Sequence, residues 1–432
     1  MPRKLPNCPD LPPHSSTQVQ ETYTIHVVTP LFGGGVEAGV NDPIGCIRGT
    51  TIRGHLRFWW RATRGAAFTS IQDLQKREAE IWGSSKVASP VMVRINVLSK
   101  GLTRKCANFV SGKNYTQFIN DYSGPLSYAL FPFQGGVDKY GERQEPALAS
   151  ENVKFELVIS APTQQLLFEA KAALWAWINF GGVGARTRRG CGSLYCKAFS
   201  PNKESINDIS SWYESNIKIY SIDRKSVLWT TLPLGKRPSF IIQKMPMDHL
   251  QSWQKMIGYL RYFRQGSGFA RNVGKDHPGR SHWPEAESIR AITGDRSPNH
   301  HEMGMPVPFF PRAALGLPIV FHFKDAKEPN ETQLEPQDTN RMASPVILKA
   351  LAFSETKSVP MALFMRRPNL SGVKINTSPP FQGTKDDVVT NVSMTTYANS
   401  PMNQLDGNKN KLSKNGAALV AFANFLADRM KG

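Results

Sequence analysis

Residues 153–199 read VKFELVISAPTQQLLFEAKAALWAWINFGGVGARTRRGCGSLYCKAF, and the change of hydrophobic period within them decides the fold class. Val153 to Ser160 alternates apolar and polar residues as a half-buried strand does. Pro162 and Thr163 then open a helix in which Leu166, Leu167, Ala170, Ala173, Leu174, Trp177 and Ile178 keep the i, i+3, i+4 spacing. A glycine and arginine loop follows, and Ser193 to Phe199 returns to strand character. Toward the N-terminus, Val91 to Leu98 alternates as a further strand. Before it, TIRGHLRFWWRATRG (Thr51 to Gly65) has helical spacing and a threonine cap expected at Thr50 or Thr51. Tyr23 to Thr29 is β-branched and alternating, and the glycine run Gly33, Gly34, Gly35 ends it in a loop. The order over residues 22–200 is therefore β-α-β-β-α-β, the ferredoxin-like arrangement shared by RNA-recognition modules. A long polar and aromatic connection separates its two middle strands.

The second half repeats these signals less regularly. A helix is expected over Met247 to Arg264, strands over Pro318 to Phe323, Pro345 to Phe353 and Pro360 to Arg366, and a final helix over Gly416 to Met430. Asp325 to Asn340 and Asn369 to Asn415 read as long surface loops. A chain of 432 residues exceeds the usual size of one core. The expected fold class is α+β, with two tandem ferredoxin-like (RRM-like) modules carrying long inserted loops. The expected division is a flexible lead-in over 1–21, an RNA-binding module over 22–200 and a second, degenerate module over 201–432.

With 53 Lys and Arg against 34 Asp and Glu, the formal net charge is +19, which favours a polyanionic partner. An anionic membrane is a poor fit, because the most apolar stretch, Leu166 to Phe180, is interrupted by Glu169 and Lys171 and is too short to span a bilayer. No secretory pattern opens the chain. Cys8, Cys46, Cys106, Cys191 and Cys196 form no CxxC pair, which disfavours a disulfide framework or a structural zinc site and suits a reducing cytoplasm.

Two cationic constellations stand out. Residues 43–72 hold five arginines and no acidic side chain. Four of them, Arg53, Arg57, Arg61 and Arg64, fall within an arc of about 80° on one helix, beside an apolar arc of about 100° formed by Ile52, Leu56, Trp59 and Trp60. Guanidinium groups without nearby carboxylates repel one another until a polyanion intervenes, so the stripe reads as a phosphate contact. A solvated helix face is the plainer alternative. Arg48 precedes the helix between Gly45 and Gly49 and is a further contact candidate. Trp60, at the edge of the apolar face, is a candidate for stacking on a base, whereas Trp59 lies mid-face and reads as core.

The second constellation is the loop itself, where Gly181, Gly182, Gly184, Gly190 and Gly192 interleave with Arg186, Arg188 and Arg189. Backbone without Cβ atoms admits a close sugar-phosphate chain, and the arginines supply counter-charge. A nucleotide P-loop is excluded, since the Gly-Lys-Ser/Thr ending is missing and the loop follows a helix instead of opening one. A glycine C-cap with arginines complementing the helix end accounts for only part of the pattern. Arg271 and Lys275 belong to a second basic tract, with Arg261, Arg264 and Arg280, that ordinary surface explains as well. His26 and His55 are the candidates for general acid or base chemistry. His300, His301 and Glu302 lack the H-E-x-x-H spacing of a zinc helix. No catalytic residue, metal or cofactor is expected.

TPLFGGG (Thr29 to Gly35), DPIGCIRGTTIRGHLRFWWRA (Asp42 to Ala62) and GGVGARTRRGCGSL (Gly181 to Leu194) together resemble the RAMP superfamily of CRISPR-associated proteins. More narrowly, they resemble the first Cmr subunit of type III-B effector complexes. HWPEAESIR (His282 to Arg290), PRAALGLPIVFHF (Pro311 to Phe323) and RMASPVILK (Arg341 to Lys349) extend the likeness into the second half. GSGFARNVGK (Gly266 to Lys275) is only a faint echo of the glycine loop. The resemblance implies tandem ferredoxin-like modules and a non-enzymatic subunit that caps the filament near the guide RNA 3′ end. It would sit beside Cmr6-type and Cmr4-type backbone subunits and help capture target RNA. The enzymatic alternative is a metal-independent, guide-processing endoribonuclease of the same superfamily, using His26 or His55.

Overall fold

Alternation along Val19–Val27 (β1) buries Tyr23, Ile25 and Val27 and leaves the residues between them toward solvent. Strand β1 is followed by the helices Gly49–Ala62 (α1) and Ile71–Trp82 (α2), the strands Met92–Ser99 (β2) and Lys154–Ala161 (β3), the helix Gln164–Phe180 (α3) and the short strand Leu194–Tyr195 (β4). These strands form one antiparallel sheet in the order β4-β1-β3-β2, with Tyr23 opposite Leu157 and Leu157 opposite Ile95. The computed structural model describes residues 18–33, 45–138, 140–223, 227–232, 240–275, 279–302, 308–366, 370, 372–378, 388–390 and 418–431. Most of the expected lead-in, Gly34 and Gly35, residues 42–44 and most of the 369–415 segment lie outside the described residues.

The chain follows the β-α-β-β-α-β path with one addition, α2, whose sequence IQDLQKREAEIW is mostly polar and buries one face through Leu74, Glu78, Ile81 and Trp82. Ser70 caps it, accepting from Asp73 N at 3.1 Å. Thr163 caps α3, accepting from Leu166 N. Neither threonine expected at the start of α1 caps it, because the helix already begins at Gly49 and Arg48 takes the cap position without a side-chain bond. The segment between β2 and β3 is not an open connection. It folds into short paired strands, with Leu148–Glu151 lying between Leu102–Lys105 and the earlier Leu31–Phe32, and its Tyr122, Leu126 and Leu130 are buried.

The second half comprises Ile209–Ile219 (α4), Phe240–Ile242 (β5), His249–Gln265 (α5), Glu285–Thr293 (α6), Ile319–Phe321 (β6), Glu331–Pro336 (β7), Val346–Ala352 (β8), Ser358–Phe364 (β9), Val373–Ser378 (β10), Val388–Thr390 (β11) and Ala418–Arg429 (α7). Strands β5, β9 and β8 make an antiparallel sheet in that order, with α5 packed on it and α7 against α5 and β5. A separate antiparallel sheet runs β6-β7-β10-β11 and closes over Ile289 of α6. The acidic Asp325 to Asn340 segment is therefore not a surface loop: β7 lies inside a sheet, with Thr332, Leu334 and Glu335 buried. The architecture is α+β with several antiparallel sheets.

Position 200/201 does not separate the cores. Ile209, Tyr213 and Ile217 of α4 and Ile347 and Leu351 of β8 enter the same apolar cluster as β1, α1 and α3, and Phe32 and Cys191 enter the cluster built on α5. This explains why α3 is buried on every side from Ala172 to Phe180: its outer face is covered by the second half instead of water.

Candidate nucleic-acid interface

The arginine stripe of α1 faces its own protein. Arg57 Nε and Arg61 Nη1 both donate to Glu78 Oε1 at 2.7 Å, and Glu78 comes from α2. Arg64 donates twice to Glu169 of α3, from Nε at 3.0 Å and Nη2 at 3.1 Å, and Arg77 approaches the same carboxylate at 3.5 Å. Arg53 donates to the Trp82 carbonyl at the end of α2. The absence of local carboxylates in residues 43–72 is thus made good from two other helices. Each glutamate serves two arginines, so a residual positive field remains. Burial alone would raise the Glu169 carboxyl, but hydrogen bonds from Arg64 and Trp60 outweigh it and hold the group below its ordinary value.

Trp60 is fully buried, its Nε1 donating to Glu169 Oε2 at 2.9 Å. Stacking on a base is closed to it in this fold, because its indole packs inside the core and its one donor is taken. Trp59 is buried as its mid-face position implies.

The glycines of the loop also have an internal reason. A Cβ on Gly181 would lie 2.6 Å from both Trp59 Nε1 and Trp177 Cδ1, and one on Gly182 would lie 2.8 Å from Gly192 O. At Gly184 it would meet Leu31 Cδ1 at 2.3 Å, and at Gly192 Val183 O at 1.9 Å. These positions lack side chains where the protein packs closely against itself. Thr29 Oγ1 ties the loop down by donating to Gly190 O at 2.6 Å and accepting from Ser193 N at 2.8 Å.

The loop's arginines differ from those of the stripe. Arg186, Arg188 and Arg189 have no carboxylate within ion-pair distance among the described residues. Arg188 Nη1 donates to the Ser344 carbonyl and its guanidinium lies 5.6 Å from the Phe58 ring. Arg186 adopts the left-handed region at φ 56° and stands over Phe131 at 5.4 Å, a strained setting of the kind found at binding sites. Burial pushes Arg189 down to about 10, with Arg264, Arg186 and Arg188 adding like-charge repulsion. Burial likewise lowers Arg186 and Arg188.

Helix α1 and the loop do meet, across a cleft of about 170 Å³ lined by His55, Phe58, Trp59, Phe180, Gly181, Gly182, Thr187, Arg188 and Ile347. The helix presents its His55 side there. Counting 100° per residue, the four stripe arginines lie about 160° to 240° round the helix from His55, so they point away and Arg188 is the arginine in the lining. His55 stacks on Trp177 at 6.0 Å, and burial lowers it to about 4, so it is neutral and weakly basic near pH 7. His26 lies elsewhere, in β1 beside Tyr195, 3.6 Å from Glu355. Arg48 is half-buried at the start of α1, and Arg271 and Lys275 are exposed on the turn after α5, Arg271 bridged to Ser267 and Ser281.

Lys349 escaped notice in the sequence. It is fully buried in β8 and donates to the carbonyls of Ile178 at 3.0 Å and Gly181 at 2.9 Å, which lie at the C-terminal end of α3. Burial lowers it to about 7. A lysine inside the apolar run PVILKALAF was the available signal. Arg264, named in the sequence only as part of the second basic tract, and the missed carboxylates of α2 and α3 are brought to the site by folding alone. Among the described residues no group of three or more His, Cys, Asp or Glu side chains converges on a metal site, and no helix is long and apolar enough to cross a membrane.

The sheet that carries this helix and loop has a counterpart among known proteins, since residues 24–195 match the family model of the RAMP superfamily. Cmr1-2, a CRISPR system Cmr subunit of Pyrococcus furiosus, is 30% identical over 183 residues, which is 40% of this chain and 92% of that protein. Cmr1-1 of the same organism is 28% identical over 173 residues, 39% of this chain and 46% of its own length. The chain belongs to the RAMP superfamily and is homologous to the Cmr1 subunits of type III-B CRISPR complexes. Among solved structures, apo Cmr1 from Pyrococcus furiosus aligns over 86% of this chain and 94% of its own, at 14% identity and TM-score 0.45. A chain of the type III-B Cmr-beta complex bound to cognate target RNA aligns over 81% and 94%, at 14% identity and TM-score 0.47.

Proposed function

We propose that this chain is a non-catalytic, RNA-binding structural subunit of a type III-B CRISPR ribonucleoprotein. In this reading it caps the filament near the guide RNA 3′ end, beside Cmr6-type and Cmr4-type subunits, and helps capture target RNA. Both main sheets are read as ferredoxin-like modules, the second reduced to β-α-β-β-α among the described residues. The observation that carries the reading is the group formed by Arg186, Arg188, Arg189 and Arg264, crowded together with no carboxylate partner among the described residues. Like charges held this way are stabilised by phosphate, and guanidinium geometry suits its oxygens. The stripe of α1 adds its residual field from the far side of the helix. Guide and target RNA would supply sequence by base pairing, while the protein grips backbone.

The test is equilibrium binding of a fluorescent single-stranded RNA to the purified full chain across a salt series. Affinity falls steeply with salt, and Arg188→Ala lowers it by a similar factor for unrelated RNA sequences while reducing the log-log salt slope by about 0.7 to 1. Salt-insensitive binding, or an Arg188→Ala variant with an unchanged slope, refutes the reading.

A further inference from the structure

Phosphate contact alone does not account for the lining of the cleft between α1 and the loop. Phe58 and Trp59 meet edge to face, with centroids 5.2 Å apart at 86°, and form an aromatic corner that Phe180 extends. We propose that this cleft takes one unstacked nucleobase of a single-stranded RNA, its ring against the half-buried Phe58, its edge toward His55 Nε2 and its phosphate outside on Arg188. The proposal deepens the RNA-binding reading above and rests on it.

Size comes first. A cavity near 150 Å³ takes one benzene ring and pockets for whole drug-sized ligands run from about 300 Å³, so a cleft of about 170 Å³ admits a single ring system and leaves ribose and phosphate outside. Polarity comes second. The carbonyls of Gly181 and Gly182 are taken by Lys349 Nζ and Trp177 Nε1, so the glycine backbone's acceptors are turned inward. The polar functions that remain are His55, Thr187, Arg188 and the indole Nε1 of Trp59. His55 Nε2 is buried with no hydrogen-bond partner among the described residues, and a buried polar atom of this kind calls for a ligand or water. The ring is held in plane by Trp177 and is neutral, so it offers one donor or one acceptor, and the edge of every base carries a group to match. Charge comes third. Arg188 is anchored on the Ser344 carbonyl beside Phe58 with no carboxylate within ion-pair distance among the described residues, which leaves the rest of its guanidinium for the attached phosphate. Stacking uses the π-face common to all bases, so the pocket adds affinity without reading sequence.

The experiment compares two RNA oligomers of equal length and phosphate count, one complete and one fully abasic, binding to the full wild-type chain at fixed salt. The complete oligomer binds about tenfold tighter, within the range measured for one base on an aromatic side chain. Phe58→Ala, at a half-buried position, closes that gap to about twofold or less while its melting temperature reports retention of the fold. Equal wild-type affinity for the two oligomers overturns the base pocket and leaves the RNA-binding reading standing. A gap that persists in a folded Phe58→Ala chain also overturns the pocket, since the stacking then occurs elsewhere. Failure of wild type to bind either oligomer refutes the RNA-binding reading itself, and the pocket with it.

Discussion

Replacing Glu169 by Gln decides whether the arginine stripe holds the module together or holds RNA. The carboxylate is only 4% exposed, and it accepts from Arg64 at 3.0 and 3.1 Å and from Trp60 Nε1 at 2.9 Å, with Arg77 at 3.5 Å. Glutamine keeps the size and one acceptor but removes the charge and turns an amide donor toward a guanidinium. Breaking a buried ion pair by removing one partner costs about 3–5 kcal/mol. The Arg64 and Arg77 side chains remain 24% and 26% exposed, so water recovers part of the loss and the lower end, about 3 kcal/mol, applies. At about 2 °C per kcal/mol for a large domain, the melting temperature falls by about 6 °C. The pH dependence has a fixed sign. A native carboxyl held below its ordinary 4.5 contributes stability above that pH and loses it as pH falls through the native value, so the difference between wild type and variant narrows below pH 4.5. Thermal melts followed by circular dichroism at neutral and acid pH measure both quantities, and RNA affinity at fixed salt stays within about twofold of wild type. An unchanged melting temperature together with tighter RNA binding would refute this reasoning, because Glu169 would then be a competitor for Arg64 instead of its structural partner.

Two further outcomes test the junction of the halves. Lys349, lowered to about 7 from an ordinary 10.5, is a group the unfolded chain protonates and the native chain does not between those values, so wild-type stability rises with pH across that window. In Lys349→Met this contribution is absent, and the variant's melting temperature relative to wild type declines steadily from pH 7 to pH 10; a constant difference would show that the lysine stays charged in the fold. Gly192→Ala places a Cβ 1.9 Å from Val183 O at a position with φ 62°, and the clash plus backbone strain destabilises the chain by about 3 kcal/mol. Chemical denaturation measures it, and a loss below about 0.5 kcal/mol would mean that the loop relaxes freely.

Much of the first module was legible because its elements carry strong periods. The alternation of Val19–Val27 and the i, i+3, i+4 spacing of Gln164–Phe180 are local patterns that show whatever packs on them, even though α3 is buried on every side from Ala172 to Phe180. Helix α2 was passed over because seven of its twelve residues are polar or charged, although Leu74, Glu78, Ile81 and Trp82 keep helical spacing on its buried face. That one omission misdirects the electrostatics. Without α2 there is no Glu78, and without the packing of α3 on α1 there is no Glu169 beneath Arg64, so residues 43–72 look uncompensated when taken alone. Charge balance is a property of space, and a window along the chain measures it only when the partners are local. The glycine loop shows the complementary case: the pattern announces that side chains are forbidden, but Trp59, Trp177, Leu31 and Val183, which forbid them, become visible only on folding. It follows that the motif's glycines describe how the loop is wedged between two halves, and the ligand must be sought among groups the fold leaves unanswered. Such groups include, among the described residues, the loop arginines without carboxylates and the buried His55 Nε2 without a hydrogen-bond partner, and His55 and Arg188 converge on the same cleft.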